Sequence, residues 1–131
     1  YSPSSSFLPM EDAHKTNFEH AVKEEKITVH IKTLDSIAAN VYSSGTLLIK
    51  MDVQGYEDKI IAGGSTLLAK ADMIITELSF ERLYKGQPLF HEIYCSLLQL
   101  GFYYAGNIEQ LRSPKNNKIL QGDGIFVKQK N

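Results

Sequence analysis

Leu47-Leu48-Ile49-Lys50-Met51-Asp52-Val53-Gln54-Gly55-Tyr56-Glu57 opens as an apolar strand, keeps a lysine and an aspartate two residues apart, and runs through a glycine into an acidic first helical turn. Side chains at i and i+2 of a strand share a face, so Lys50 and Asp52 are expected as neighbours inside a sheet or at its rim. Charge in an apolar strand is costly unless paired. The strand end is also where ligands bind in open α/β sheets, just beyond the carboxyl ends of the strands. Pairing and function are therefore both open explanations of this stretch.

Outward from it, a helix is expected over residues 56–62, with Glu57 and Asp58 in the first turn, where the helix dipole favours negative charge. Gly63-Gly64 interrupts it, and Ser65 is placed to cap a second helical piece over 66–70. Residues 73–78 read as the next buried strand, with Glu77 near its end. Strand, helix and strand in that order make a parallel βαβ unit. Upstream, residues 27–31 alternate as a short strand does, and residues 33–41 read as a helix capped by Thr33 or Asp35. Downstream, Pro88 and Gly101 bracket a helix whose apolar face carries Leu89, Ile93, Leu97 and Leu100, with Tyr94 and Leu98 beside it. Residues 102–104 and 125–127 close the chain as two strands, antiparallel because no helix pattern joins them. Residues 1–26 are polar and irregular and read as a loop or insertion.

At 131 residues the chain suits one domain. With 43% hydrophobic and 22% charged residues it has the composition of a globular protein. A net charge of −1 offers no electrostatic reason for nucleic acid or an anionic membrane as partner. No apolar run approaches the roughly 20 residues of a membrane span, and no signal-peptide pattern is visible. The lone Cys95 excludes an internal disulfide and reads as a core residue. A reducing compartment, the cytoplasm, is the expectation. His14, His20, His30 and His91 show no metal-ligand spacing, so no metal site is expected.

Thr33-Leu34-Asp35, then residues 49–57, Ile61-Ala62-Gly63-Gly64, Ile74-Ile75-Thr76-Glu77, Leu100-Gly101-Phe102 and residues 122–127 together resemble the FkbM family of S-adenosylmethionine-dependent methyltransferases in order and spacing. The resemblance implies a Rossmann-like doubly wound α/β sheet of seven strands that ends in an antiparallel hairpin. It makes residues 47–53 the fourth strand, at the switch point of the sheet, and 73–78 the fifth. The family's glycine-rich cofactor loop has no counterpart here. The chain therefore resembles the carboxyl-terminal half of the domain, over residues 27–131. Half a sheet leaves an interior strand with an open edge. A homo-oligomer through that edge is expected, or a covering by residues 1–32.

By that resemblance the activity is O-methylation of a hydroxyl on a small acceptor, a sugar or secondary metabolite, with S-adenosylmethionine as cofactor. Asp52 would align or deprotonate the hydroxyl, or it neutralises Lys50. Lys50 would serve as a desolvated base, or it pairs with Asp52 or Glu77. Gln54, Glu57 and Glu77 stand where substrate contacts are common, and Asp52 and Val53 border the cofactor. Each has a plainer alternative: Glu57 complements the helix dipole, and Glu77 pairs with Lys50. Gly55 is there for positive φ or close backbone approach. A non-catalytic α/β scaffold that lost the cofactor loop is the second reading. A metal-dependent hydrolase using Asp52, Glu57 and Glu77 is a weaker third.

Overall fold

The computed structural model describes residues 5–18 and 26–129. Four strands form one mixed sheet in the order β1-β2-β4-β3: β1 (Leu48–Met51), β2 (Met73–Ser79), β3 (Phe102–Arg112) and β4 (Ile119–Lys128). β1 and β2 run parallel in the register Ile49↔Ile74, and β4 lies antiparallel to both β2 and β3. The helices are α1 (Asp12–Asn17), α2 (Leu34–Val41), α3 (Glu57–Gly63), α4 (Ser65–Leu68) and α5 (Phe90–Gln99). The expected βαβ unit and the antiparallel closing pair are both present.

One face of the sheet makes the core. Met51, Ile74, Leu78 and Phe126 meet Ile61 of α3, Leu68 of α4, and Ile93 and Leu97 of α5 in a single buried cluster. Burying such side chains contributes roughly 1.5–3 kcal/mol each. The other face carries Leu48 and Lys50 into solvent at β1. Among the described residues helices cover only one face, so the two-sided winding of a full doubly wound sheet is not formed by them.

Helix entry and exit follow local chemistry. Thr33 caps α2 by accepting the Ser36 N–H, whereas Asp35 reaches across and accepts the backbone N–H groups of Thr66 (3.1 Å) and Leu67 (2.8 Å). It thus caps α4, a role the sequence assigned to Ser65, which is instead the first residue inside the helix, with Gly64 at the N-cap position. Burial pushes the Asp35 carboxyl up, but the Leu67 and Thr66 N–H groups outweigh this and hold it below the usual carboxylate range. Gly64 makes the approach of α2 possible: a Cβ there would lie 2.7 Å from Leu34 Cδ2 and 2.9 Å from the Ile60 carbonyl oxygen. At the start of α5, Glu92 accepts the Leu89 N–H at 2.8 Å, so the helix begins two residues beyond Pro88.

Several expectations are corrected. Residues 27–31 form no strand: they have no paired neighbour among the described residues, and Ile27, Val29 and Ile31 face solvent. An alternating pattern makes a strand only where another strand supplies hydrogen-bond partners. Part of the amino-terminal loop is the helix α1, and the segment before it is tied down: Met10 bridges Tyr84, and Leu8, Met10, Ala13 and Phe18 pack on Leu83, Tyr84 and Leu120. This segment docks beyond the end of β2 rather than along the open side of β1. Cys95 is exposed, because Ile93 and Leu97 turn inward and position 95 falls on the opposite side of the helix. Leu98, on the flank of that inward face, is exposed as well. His20 lies outside the described residues.

Candidate active site

β1 stops at Met51, and the chain then turns through Gln54 at φ 50° and Gly55 at φ 93° into α3. Left-handed backbone at a non-glycine residue persists only where surroundings enforce it. Here they do. Glu57, buried at the mouth of α3, accepts the N–H groups of Val53 (3.3 Å) and Gly55 (3.4 Å). The Gln54 carbonyl accepts Ser6 Oγ at 2.6 Å. A Cβ on Gly55 would lie 3.2 Å from both Gln87 Cγ and Leu8 Cδ1, so that glycine serves positive φ and close approach together. Burial pushes the Glu57 carboxyl up, and the backbone N–H groups it collects work against that. Its side chain is an internal clamp on the loop.

The loop delivers Asp52 and Gln54 to the rim of the open face. Lys50 Nζ lies 3.4 Å from Asp123 Oδ2 and 3.8 Å from Asp52 Oδ2, with the lysine and Asp52 side chains 53% and 48% exposed. They are rim charges, not buried ones. Asp123 and then Asp52 hold the ammonium above the usual lysine range. The desolvated lysine with a lowered pKa is therefore not present. Its partners are Asp52 and Asp123 rather than Glu77.

Glu77, opposite Asp123 in the β2–β4 register, sits deeper. Its Oε2 accepts Gln121 Nε2 at 2.7 Å, and both oxygens lie 3.4 Å from Gln54 Nε2. Burial, reinforced by the charges of Asp52, Glu57 and Asp123 and eased by the Gln54 bond, raises it from 4.5 to about 8. It is mostly a neutral acid at neutral pH. Gln54 Nε2 also reaches Asp52 Oδ1 at 3.1 Å, so one amide spans both carboxyl groups. Behind them Gln87 donates to Ser79 Oγ at 2.6 Å and accepts the N–H groups of Leu83 and Tyr84. A groove of about 300 Å³ opens over Lys50, Asp52, Glu77, Gln121 and Asp123, walled by residues 109–111 of β3.

The structure thus brings together Lys50, Asp52, Gln54 and Glu77 and puts Glu57 beneath them; Val53 enters through its backbone N–H. It adds Gln121 and Asp123, which sequence reasoning did not single out. Gly122-Asp123-Gly124 was the available signal, a charge between two glycines in an otherwise apolar strand. No group of three or more His, Cys, Asp or Glu side chains among the described residues is arranged to hold a metal ion. No helix among them is long and apolar enough to cross a membrane.

The methyltransferase FkbM domain model matches residues 2–104. The chain belongs to the FkbM methyltransferase family. It is also 36% identical over 74 residues to the 2-O-methyltransferase NoeI of Sinorhizobium fredii (strain NBRC 101917 / NGR234), an overlap of 56% of this chain and 30% of that relative. The chain therefore spans about a third of that relative's length. No solved structure matches. Within an FkbM domain the matched region contains β1, the Glu57 loop and Glu77, so every expected site residue lies inside it.

Proposed function

We propose that this chain contributes the acceptor side of an S-adenosylmethionine-dependent O-methyltransferase, acting on a hydroxyl of a sugar or secondary metabolite. The carrying observation is Asp52: a half-exposed carboxylate just past the carboxyl end of β1, held by Lys50 and Gln54 at the rim of a polar groove.

The donor set suits a sulfonium cofactor at that rim, because Asp52, Glu109 and Asp123 outnumber the one cation, Lys50, in the groove lining. When bound, the cofactor supplies an electrophilic methyl carbon whose transfer releases a neutral thioether. The chain's own residues handle the acceptor. Asp52 accepts the hydroxyl's hydrogen bond, aligns the oxygen and takes its proton as the new C–O bond forms. Lys50 sets a positive charge beside Asp52 without competing for that proton, since its own affinity for protons is raised. Glu77, carrying its proton, keeps further negative charge away from the developing alkoxide. Gln121, Gln54 and Asp123 offer the mixed donors and acceptors that a polyhydroxylated ring needs.

The test is calorimetric titration of S-adenosylhomocysteine into the folded chain, followed by transfer of labelled methyl groups to sugar acceptors. Saturable binding at one site per chain or per dimer, with transfer to a hydroxyl, supports the reading. No binding by a chain shown to be folded leaves an incomplete enzyme or a scaffold, and the same titration in the protein carrying this chain then decides: no binding there removes the reading.

A further inference from the structure

Tyr84 follows β2 in sequence and belongs to none of the named strands or helices, yet its side chain is fully buried. Its hydroxyl donates to Gln54 Oε1 at 2.9 Å, and His14 Nε2 of α1 stands 3.4 Å from that hydroxyl's own oxygen. Gln54 has an acceptor end and a donor end of nearly equal shape. With the donor end on Asp52 at 3.1 Å and on both Glu77 oxygens at 3.4 Å, only Oε1 remains for Tyr84. The reversed amide would aim its oxygen at the Asp52 carboxylate and lose the N–H bond made to it. One buried hydroxyl thus anchors the far end of the side chain that spans the acids.

We infer that Tyr84 is a positioning residue: its hydroxyl fixes the Gln54 side chain so that the amide N–H groups stay on Asp52 and Glu77, and so orients the carboxylate at the rim of the groove. The consequence for turnover rests on the methyl-transfer reading; the consequence for the network does not. The anchor comes from behind the site, through the amino-terminal segment. Ser6 holds the Gln54 backbone at 2.6 Å and His14 packs on the Tyr84 ring with centroids 5.2 Å apart. The ionisable groups facing Glu77 are Asp52, Glu57 and Asp123, with Lys50 bound to the first and last of these.

The experiment follows the Glu77 carboxyl by carbon-13 NMR titration in the folded chain, in wild type, Tyr84→Phe, Gln54→Leu and the double variant. The Gln54 bond lowers the Glu77 midpoint, so Tyr84→Phe and Gln54→Leu each raise it, and the double variant rises no further than Gln54→Leu alone. An unmoved midpoint in Tyr84→Phe, or effects that simply add, overturns the assignment. Should the core not tolerate Tyr84→Phe, Gln54→Asn withdraws the amide from the hydroxyl without touching the buried ring and carries the same expectation. No methyl donor is needed for this measurement. Inactivity toward every acceptor in the protein carrying this chain, with the titrations moving as expected, ends the methyl-transfer reading and leaves the positioning role standing. In active protein, Tyr84→Phe lowers kcat about ten- to a hundredfold with KM for the acceptor little changed; a loss confined to KM counts against the role.

Discussion

Gln121 Nε2 donates to Glu77 Oε2 at 2.7 Å across 44 residues of sequence, tying the middle of the sheet to its closing hairpin. The bond is made to an acid that keeps its proton to about pH 8.

That acid makes stability fall as pH rises. The folded Glu77 titrates near 8 against 4.5 for the unfolded group. Its contribution is complete below about 4.5, declines through the interval, and is lost above 8. Glu77→Gln flattens this slope and gains on wild type at pH 9, on the order of a few kcal/mol. Urea unfolding at pH 5, 7 and 9 checks it; parallel stability curves for the two proteins would sink the idea.

Asp52→Asn keeps the shape and the contact with Gln54 but removes the proton acceptor. In the protein carrying this chain, turnover should drop by about 10²–10⁴, with S-adenosylhomocysteine affinity little altered. Steady-state kinetics beside calorimetry separates the two, and undiminished turnover removes Asp52 from the chemistry.

Glu57→Ala leaves the Val53 and Gly55 N–H groups without their acceptor inside the fold. A cost of about 1–3 kcal/mol is expected, smaller for Glu57→Gln, which keeps one acceptor oxygen. Chemical denaturation ranks the variants; equal stabilities would mean that the loop closes without the clamp.

Gly64→Ala sets a methyl group against Leu34 and the Ile60 carbonyl. Overpacking of this kind costs about 1–3 kcal/mol. Pairing it with Leu34→Ala, which opens the space, should recover part of the loss, and a thermal melt of the three proteins reads this directly.

Strong periodicity was legible. The two parallel strands, the face of α5 with Ile93 and Leu97, and the Thr33 cap all follow from local pattern. Expectations failed where a distant partner decides. Asp35 looks like the cap of its own helix and serves α4 instead. Residues 27–31 alternate but lack a neighbour among the described residues. β3 and β4 outrun their apolar cores, because Gly106, Asn107, Gly122 and Gly124 interrupt the pattern while the ladder continues through them. At the site, Lys50, Asp52, Gln54 and Glu77 stood out as polar groups at strand ends. Gln121, Gln87 and Tyr84 look ordinary until the chain folds Gln121 against Glu77, Tyr84 against Gln54, and Gln87 against Ser79 and the N–H groups of Leu83 and Tyr84.

The two outer strands of the sheet differ in regularity. β3 changes register three times along β4, so its free backbone groups are unevenly spaced. A straight strand laid against it would fall out of step within a few residues. β1 has no such shifts. Of the two free edges among the described strands, the one at β1 is therefore the regular template for strand pairing and the one at β3 is not.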